Sequence, residues 1–231
     1  MQVRHFIIVF LLIVCCSNAM SQVVVTGAMR DVMWKGQLSG KISMDTILSG
    51  NRTYGIGPVE GLAGEIMVFN GIPYTSQVIS ESAMVVIADS TVRAPFFVHS
   101  NVTQWKKIQF PPTVTDLKSL EAHLSEISLN TLSPFVFRIE GKIQDAVIHV
   151  VNLPSGSIVQ SPDDAHKGQQ NFNIANTASS VIGFFSREHK GIFTHHDSFL
   201  HMHLLTNDKK MMGHVDKLTF HPSDVEVYIS F

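Results

Sequence analysis

The sequence predicts a strand-rich α+β fold with two packed mixed or antiparallel sheets and one or two helices. Short apolar runs recur along the 231 residues, and glycine, proline or asparagine bounds most of them. One segment, residues 116–129, instead repeats its leucines at helical steps of three and four residues. A chain of this length can bury a substantial core.

The charge of the chain argues against a nucleic-acid partner. The formal net charge is −2, only 16% of the residues are charged, and no basic stripe runs through the sequence. Proteins that bind nucleic acids usually carry a cluster of lysine and arginine on one face. We therefore expect no nucleic-acid partner.

Residues 1–20 have the pattern of a signal peptide. A basic start precedes the apolar run Phe6 to Cys16, and small residues suited to cleavage follow up to Ala19. The run is too short to span a membrane, and no other apolar stretch of the sequence is long enough. Cleavage near Ala19 would remove both cysteines, Cys15 and Cys16. We expect a periplasmic or secreted protein; acylation of one of these cysteines, as in a lipoprotein, is the alternative.

Residues 21–132 are predicted to form an N-terminal β-rich half that contains the helix. Residues 41–49 indicate a short helix or a turn. Glu65 to Phe69 indicates a strand that ends in a turn at Asn70-Gly71. Thr115 is the predicted N-cap of the helix over residues 116–129. Glu65 is either a solvated carboxylate at a strand end or a functional acid.

Residues 133–231 are predicted to form a C-terminal β-rich half that carries the metal site. A strand is expected around Arg138, and others at residues 146–151 and 181–185. Residues 155–176 are expected to form a polar loop, and Pro222 to interrupt the chain before a last strand. Arg138 alternates with apolar neighbours, so it is either a surface charge with a buried stem or an anion clamp.

Three histidines near the C-terminus have the spacing of a metal site. His201 and His203 would project from one face of a strand, because side chains two residues apart share a face. Residues 206–210 indicate a turn that could return His214 beside them. Three imidazoles suit Zn²⁺ and leave a fourth position open for water or substrate. The adjacent pair His195-His196 is a poor chelate, and we expect it in a loop.

The three-histidine pattern leaves more than one function open. It could hold the catalytic zinc of a hydrolase or hydratase that uses a bound hydroxide. It could also belong to a cupin-like metal-binding module without catalytic activity. A single histidine on a strand is more often structural than a ligand.

Several motifs, in order, resemble the alpha-acetolactate decarboxylase family. The glycine-rich segment of residues 54–74 resembles the family's glycine-rich turn, its Gly-Glu pair and its following strand. Phe137 to Lys142 is similar to its Arg-Ile-x-Gly strand. Gly183 to Gly191 leads into the His201-Met-His203 and Gly213-His214-Val215 motifs.

The resemblance implies a zinc enzyme that decarboxylates a small-molecule substrate, the 2-hydroxy-3-oxo acid 2-acetolactate, to acetoin and CO₂. The signal-peptide pattern predicts that this enzyme is exported. It implies that His201, His203 and His214 bind the zinc and that no organic cofactor is needed. The oligomeric state is left open between a monomer and a homodimer.

The resemblance also assigns catalytic residues. Glu65 and Arg138 match the family's active-site acid and guanidinium by position. The family has a second glutamate late in the chain, for which Glu226 is the candidate.

Overall fold

The computed structural model describes residues 22–129 and 133–230. The predicted signal peptide, with Cys15 and Cys16, lies outside the described residues. Within the described part of the chain, no helix has the length and apolar character needed to cross a membrane.

The described residues form thirteen strands and three α-helices, so the strand-rich α+β prediction is confirmed. In chain order they are β1 (Val23–Thr26), α1 (Met29–Lys35), β2 (Ile42–Ser43), β3 (Thr53–Pro58), β4 (Glu65–Phe69), β5 (Ile72–Ser80), β6 (Ala83–Ala88), β7 (Arg93–Ala94), β8 (Phe97–Asn101), β9 (Lys106–Ile108), α2 (Leu117–Ile127), β10 (Phe135–Val150), α3 (Pro162–Ala165), β11 (Gln170–Phe185), β12 (Leu200–Thr206) and β13 (Met212–Ile229). The sequence predicted one or two helices; the third, α3, is a single turn.

The first sheet comes from the N-terminal half and is antiparallel throughout. Its strand order is β1-β8-β3-β4-β5-β6. The predicted turn between β4 and β5 is present: Asn70 and Gly71 have φ angles of 50° and 75°. A Cβ atom at Gly71 would lie 1.8 Å from the carbonyl oxygen of Gly50, so this turn requires glycine. A two-stranded pairing of β2 with β7 lies beside this sheet.

The second sheet closes on itself through its long strands. Its order is β10-β11-β12-β13-β9, and β10 also pairs with β13. One edge of β13 pairs with β10 along its length, while the other pairs with β12 at its start and with β9 at its end. The cycle of four strands leaves few free edges and holds its residues in a fixed register.

The two faces of the second sheet contribute to different cores. Along β12, successive side chains point to opposite faces. Met202 packs in the large apolar cluster inside the second sheet. Leu205 packs on the other face, in an apolar cluster that also contains Met67 of the first sheet. His201 and His203 share the face of Leu205, so they point toward the first sheet.

Helix α2 covers the large core and begins one residue later than the sequence predicted. Leu120 and Leu124 are its buried residues. The N-cap is Asp116 rather than Thr115: the Asp116 carboxylate accepts a hydrogen bond from the Ser119 N–H at 2.8 Å, and the Ser119 side chain pairs back to the Asp116 N–H. This reciprocal capping box stabilises the first turn.

Two predicted irregular segments of the C-terminal half belong to regular elements. The polar loop expected at residues 155–176 contains α3 and the start of β11, because residues from Gln170 onward pair with the far end of β10. The break expected at Pro222 lies within β13. There the pairing with β10 shifts register, so Pro222 does not have to donate a hydrogen bond to the neighbouring strand. The division of the chain at residue 133 stays a prediction.

Candidate metal centre

The hairpin of β12 and β13 brings the three predicted metal ligands together. His201 and His203 project from one face of β12, and His214 lies directly opposite His203 in the pairing of the two strands. At the turn, the Thr206 hydroxyl donates a hydrogen bond to the Asp208 carboxylate at 2.7 Å. The predicted convergence of the histidines is confirmed.

The ring nitrogens of this triad fit a shared metal ion. One nitrogen from each residue lies within 4.8 Å of the other two, and all three residues are buried. Both ring nitrogens of His203 and Nδ1 of His201 lack a hydrogen-bond partner among the described residues. Leaving a buried polar atom unpaired costs about 1–3 kcal/mol, and coordination to a metal would remove that cost. The triad of His201, His203 and His214 could therefore hold a metal ion.

Burial keeps the three imidazoles neutral. The pKa of His203 falls to about 3, first because burial disfavours the charged ring and then because His149 lies nearby. Burial also lowers the pKa of His201 and of His214 well below the usual value. At neutral pH the rings therefore have free lone pairs, as metal coordination requires.

Glu65 reaches the triad from the first sheet. It begins β4, and its Oε2 lies 3.6 Å from Nε2 of His203. Its Oε1 accepts a hydrogen bond from the backbone N–H of Val151 at 3.4 Å. The residue is 3% exposed, and this burial raises the pKa of Glu65 well above its usual value despite the Val151 contact. A carboxyl group with a raised pKa can act as a proton donor.

Two histidines that the sequence analysis did not assign to the site also border the triad. The ring of His149, on β10, lies 4.6 Å from that of His214 between centroids. His195 lies in the loop before β12, and its Nε2 is 3.0 Å from Nε2 of His214. Local spacing could not identify His149, because its position depends on the pairing of β10 with β13. For His195, the adjacent pair His195-His196 predicted only a loop and did not indicate a place in the site.

A cavity of about 180 Å³ opens onto Glu65 and onto two histidines of the triad, His201 and His214. Its volume equals that of roughly six water molecules, which suits a small organic molecule. The ionisable side chains in its wall are Arg30, Glu65, His149, His166, His195, His196, His201 and His214. A wider cavity of about 620 Å³ beside α2 shares His195, His201 and His214 with it, but Glu65 does not line that one.

Arg138 lies outside both of these cavities. Its guanidinium carbon is 4.8 Å from the ring centroid of Trp105 and 4.4 Å from that of Tyr228. Its Nη1 is 3.0 Å from Oε1 of Glu140. Arg138 is not among the residues that line either cavity. The structure does not bring this guanidinium to the triad.

Glu226 likewise lies apart from the triad. Its side chain is 56% exposed, and its Oε1 is 2.5 Å from the Lys107 ammonium. Its Oε2 accepts a hydrogen bond from the Tyr228 hydroxyl at 2.7 Å. The hydrogen bond from Lys107 is the main reason that the pKa of Glu226 is lowered. Glu226 lines a different cavity, next to β9.

Comparison with known protein families gives one match over most of the chain. The model of the family described as alpha-acetolactate decarboxylase matches residues 25–230. A comparison with curated proteins found no match.

Several solved structures share the fold. An alpha-acetolactate decarboxylase from Bacillus subtilis strain 168 is 23% identical, with a TM-score of 0.74 over 91% of this chain and 85% of that one. An acetolactate decarboxylase from Bacillus subtilis subspecies spizizenii is also 23% identical, with a TM-score of 0.73 over 91% and 86%. A Staphylococcus aureus protein of unknown function, described as similar to alpha-acetolactate decarboxylase, is 19% identical, with a TM-score of 0.72 over 90% and 84%.

Proposed function

The chain belongs to the alpha-acetolactate decarboxylase family, and from that membership we propose that it is an exported, zinc-dependent enzyme that converts 2-acetolactate to acetoin and CO₂. One observation carries the proposal: three buried histidines, of which His201 and His203 have unpartnered ring nitrogens, lie beside a buried carboxyl group whose pKa is raised. Zinc is proposed as the metal because it prefers imidazole ligands in a site with an open position.

The substrate explains why this combination of groups is useful. 2-Acetolactate carries its carboxylate and hydroxyl on one carbon and a ketone on the next. Loss of CO₂ leaves an electron pair on that carbon, and the neighbouring ketone can accept it. A divalent ion bound by the triad would supply a Lewis acid for the charge that develops on oxygen. No organic cofactor is required.

Glu65 supplies the proton that completes the reaction. After CO₂ has left, the carbon needs one proton to become the CH(OH) group of acetoin. Glu65 is buried beside His203, and the raised pKa of Glu65 favours the protonated acid that can donate this proton. Its fixed position would deliver the proton to one face of the carbon.

The roles implied by resemblance for Arg138 and Glu226 stay predictions. Arg138 is stacked between two aromatic rings, and Glu226 is held in an exposed ion pair. The mechanism proposed for Glu65 and the triad requires neither of them at the reacting carbon. Their placement therefore supports Glu65 as the proton donor.

The direct test incubates purified, zinc-loaded protein with racemic 2-acetolactate and follows acetoin and CO₂. The matched control is His203→Ala, in which the triad loses its central ligand. We expect acetoin formation well above the rate in buffer from the unmodified protein, with zinc and activity lost together in the variant. A folded, zinc-loaded protein no faster than buffer would contradict the proposal. Ester hydrolysis or hydration by that same protein would then favour a different three-histidine zinc enzyme.

A further inference from the structure

The register of the second sheet places His149 at the triad. His149 lies opposite His214 in the pairing of β10 with β13, and His214 lies opposite His203 in the pairing with β12. Residues directly opposite each other in antiparallel strands point to the same face. His149 therefore faces the same space as the proposed metal ligands, and it lines the cavity that contains Glu65.

Asp216 fixes the orientation of the His149 ring. Nδ1 of His149 lies 2.8 and 2.9 Å from the two carboxylate oxygens of Asp216. A carboxylate can only accept, so Nδ1 must carry the hydrogen and donate it. Among the described residues, both hydrogen bonds of this ring use Nδ1. Nε2 is therefore left for a molecule in the cavity.

The same stretch of chain that carries His149 also holds Glu65. Val151, two residues after His149, donates its backbone N–H to the Glu65 carboxyl group. His149 and Glu65 are thus tied to one another through a short segment of backbone. A ligand bound in the cavity lined by Glu65, His201 and His214 would meet His149 as a residue of the same wall.

We propose that His149, held by Asp216, is a substrate-contacting residue whose Nε2 hydrogen-bonds to the hydroxyl group of the 2-hydroxy-3-oxo acid. This inference rests on the proposed function, and it assigns recognition of the hydroxyl to a residue outside the metal triad. A hydroxyl group both donates and accepts, so it matches Nε2 whether or not that nitrogen carries a proton. Asp216 acts through His149 and is a positioning residue.

The test compares two acids that lack the ketone and so are not expected to decarboxylate: 2-hydroxy-2-methylbutanoate, and 2,2-dimethylbutanoate, in which a methyl replaces the hydroxyl. Calorimetry on the zinc-loaded protein gives both Kd values. The ratio of the Kd of 2,2-dimethylbutanoate to the Kd of the hydroxy acid measures the preference for the hydroxyl group. We expect the hydroxy acid to bind more tightly and His149→Phe to reduce that ratio about three- to tenfold, the share of one hydrogen bond. Any preference that comes from the zinc itself remains in both proteins.

Matched variants separate this role from a structural one. His221→Phe changes an exposed histidine outside the cavity and should leave the ratio unchanged. Asp216→Ala should reduce the ratio as His149→Phe does, whereas Asp216→Asn should restore most of it because the amide oxygen still accepts from Nδ1. Zinc content and thermal unfolding show whether each variant is loaded and folded. If His149→Phe does not fold, His149→Leu and the Asp216 pair provide the measurement.

An unchanged ratio in folded, zinc-loaded His149→Phe or His149→Leu would overturn the inference, as would wild-type protein that does not distinguish the two acids. Because binding is measured without turnover, this result is independent of acetoin formation. A protein that makes no acetoin but shows the expected drop in the ratio would refute the proposed reaction and retain the role of His149.

Discussion

At the residue scale, Glu65 combines two properties that rarely occur together in a protein: its carboxyl group is buried, and no lysine or arginine in the described part of the chain pairs with it. It is a carboxylic acid with 3% exposure, and among the described residues its only neighbour within ion-pair distance is the ring of His203, which is neutral. Burial without a full compensating charge favours the protonated acid. Glu65 can therefore act as a proton donor.

Substitution of Glu65 by Gln should remove the proton donor and leave the metal in place. The amide has almost the same shape and can still accept the hydrogen bond from Val151. We expect zinc content close to that of the unmodified protein and a loss of kcat of about 10²- to 10⁴-fold. Steady-state acetoin formation together with metal analysis tests this, and unchanged turnover would show that Glu65 is structural.

Arg138→Gln distinguishes an anion clamp from a packing role. The guanidinium stacks on Trp105 and Tyr228, so we expect its loss to lower the free energy of unfolding by about 1–2 kcal/mol. KM for 2-acetolactate should stay close to its original value. Denaturant unfolding and steady-state kinetics check the two effects, and a large rise in KM without loss of stability would support the clamp instead.

At the element scale, the β12–β13 hairpin shows which parts of the site local sequence can predict. The two-residue spacing of His201 and His203, together with the polar turn before His214, was sufficient because all three residues lie within one hairpin. The capping residue of α2 was missed by one position, since Thr115 and Asp116 are both good caps. The choice of Asp116 depends on the side chain of Ser119.

The burial of His203 in the hairpin should make the metal-free protein less stable in acid. The pKa of His203 is about 3 in the folded protein and about 6.5 in the unfolded chain, where the ring is exposed. Between these two pH values the unfolded chain therefore binds more protons than the folded protein. The contribution of His203 to the free energy of unfolding is therefore fully present above about pH 6.5 and is lost as the pH decreases. From pH 6.5 to 5, His203 alone should cost about 2 kcal/mol. Denaturant unfolding of metal-free protein tests this, with His203→Gln as the control that should show a weaker dependence.

Helix α2 offers a test of element boundaries that is separate from catalysis. Asp116→Ala removes the side chain that accepts the Ser119 N–H and should lower the free energy of unfolding by about 1 kcal/mol. For a chain of this size the midpoint temperature should fall by about 2–4 °C. Thr115→Ala is the matched control. If the control produced the larger shift, the helix would begin at the residue that the sequence predicted.

At the scale of the whole molecule, the candidate site depends on contacts that are distant in sequence. The triad comes from the second sheet, Glu65 from the first, and His149 from a strand that closes the second sheet through β13. The sequence predicted the fold class and the triad, because alternation and short spacing are local signals. It did not predict the burial of Glu65 or the position of His149, which follow from sheet packing and from pairing across more than 60 residues.

The central claim is that three imidazoles hold one divalent ion and leave a position open for the oxygens of a substrate. X-ray absorption of zinc-loaded protein, with and without 2-hydroxy-2-methylbutanoate, tests this most directly. We expect three imidazole nitrogens at about 2.0–2.1 Å from the zinc, at least one oxygen ligand, and a change in the oxygen ligands when the acid is added. A fourth imidazole that completes the coordination shell and is unaffected by the acid would contradict it, as would folded protein that retains no zinc.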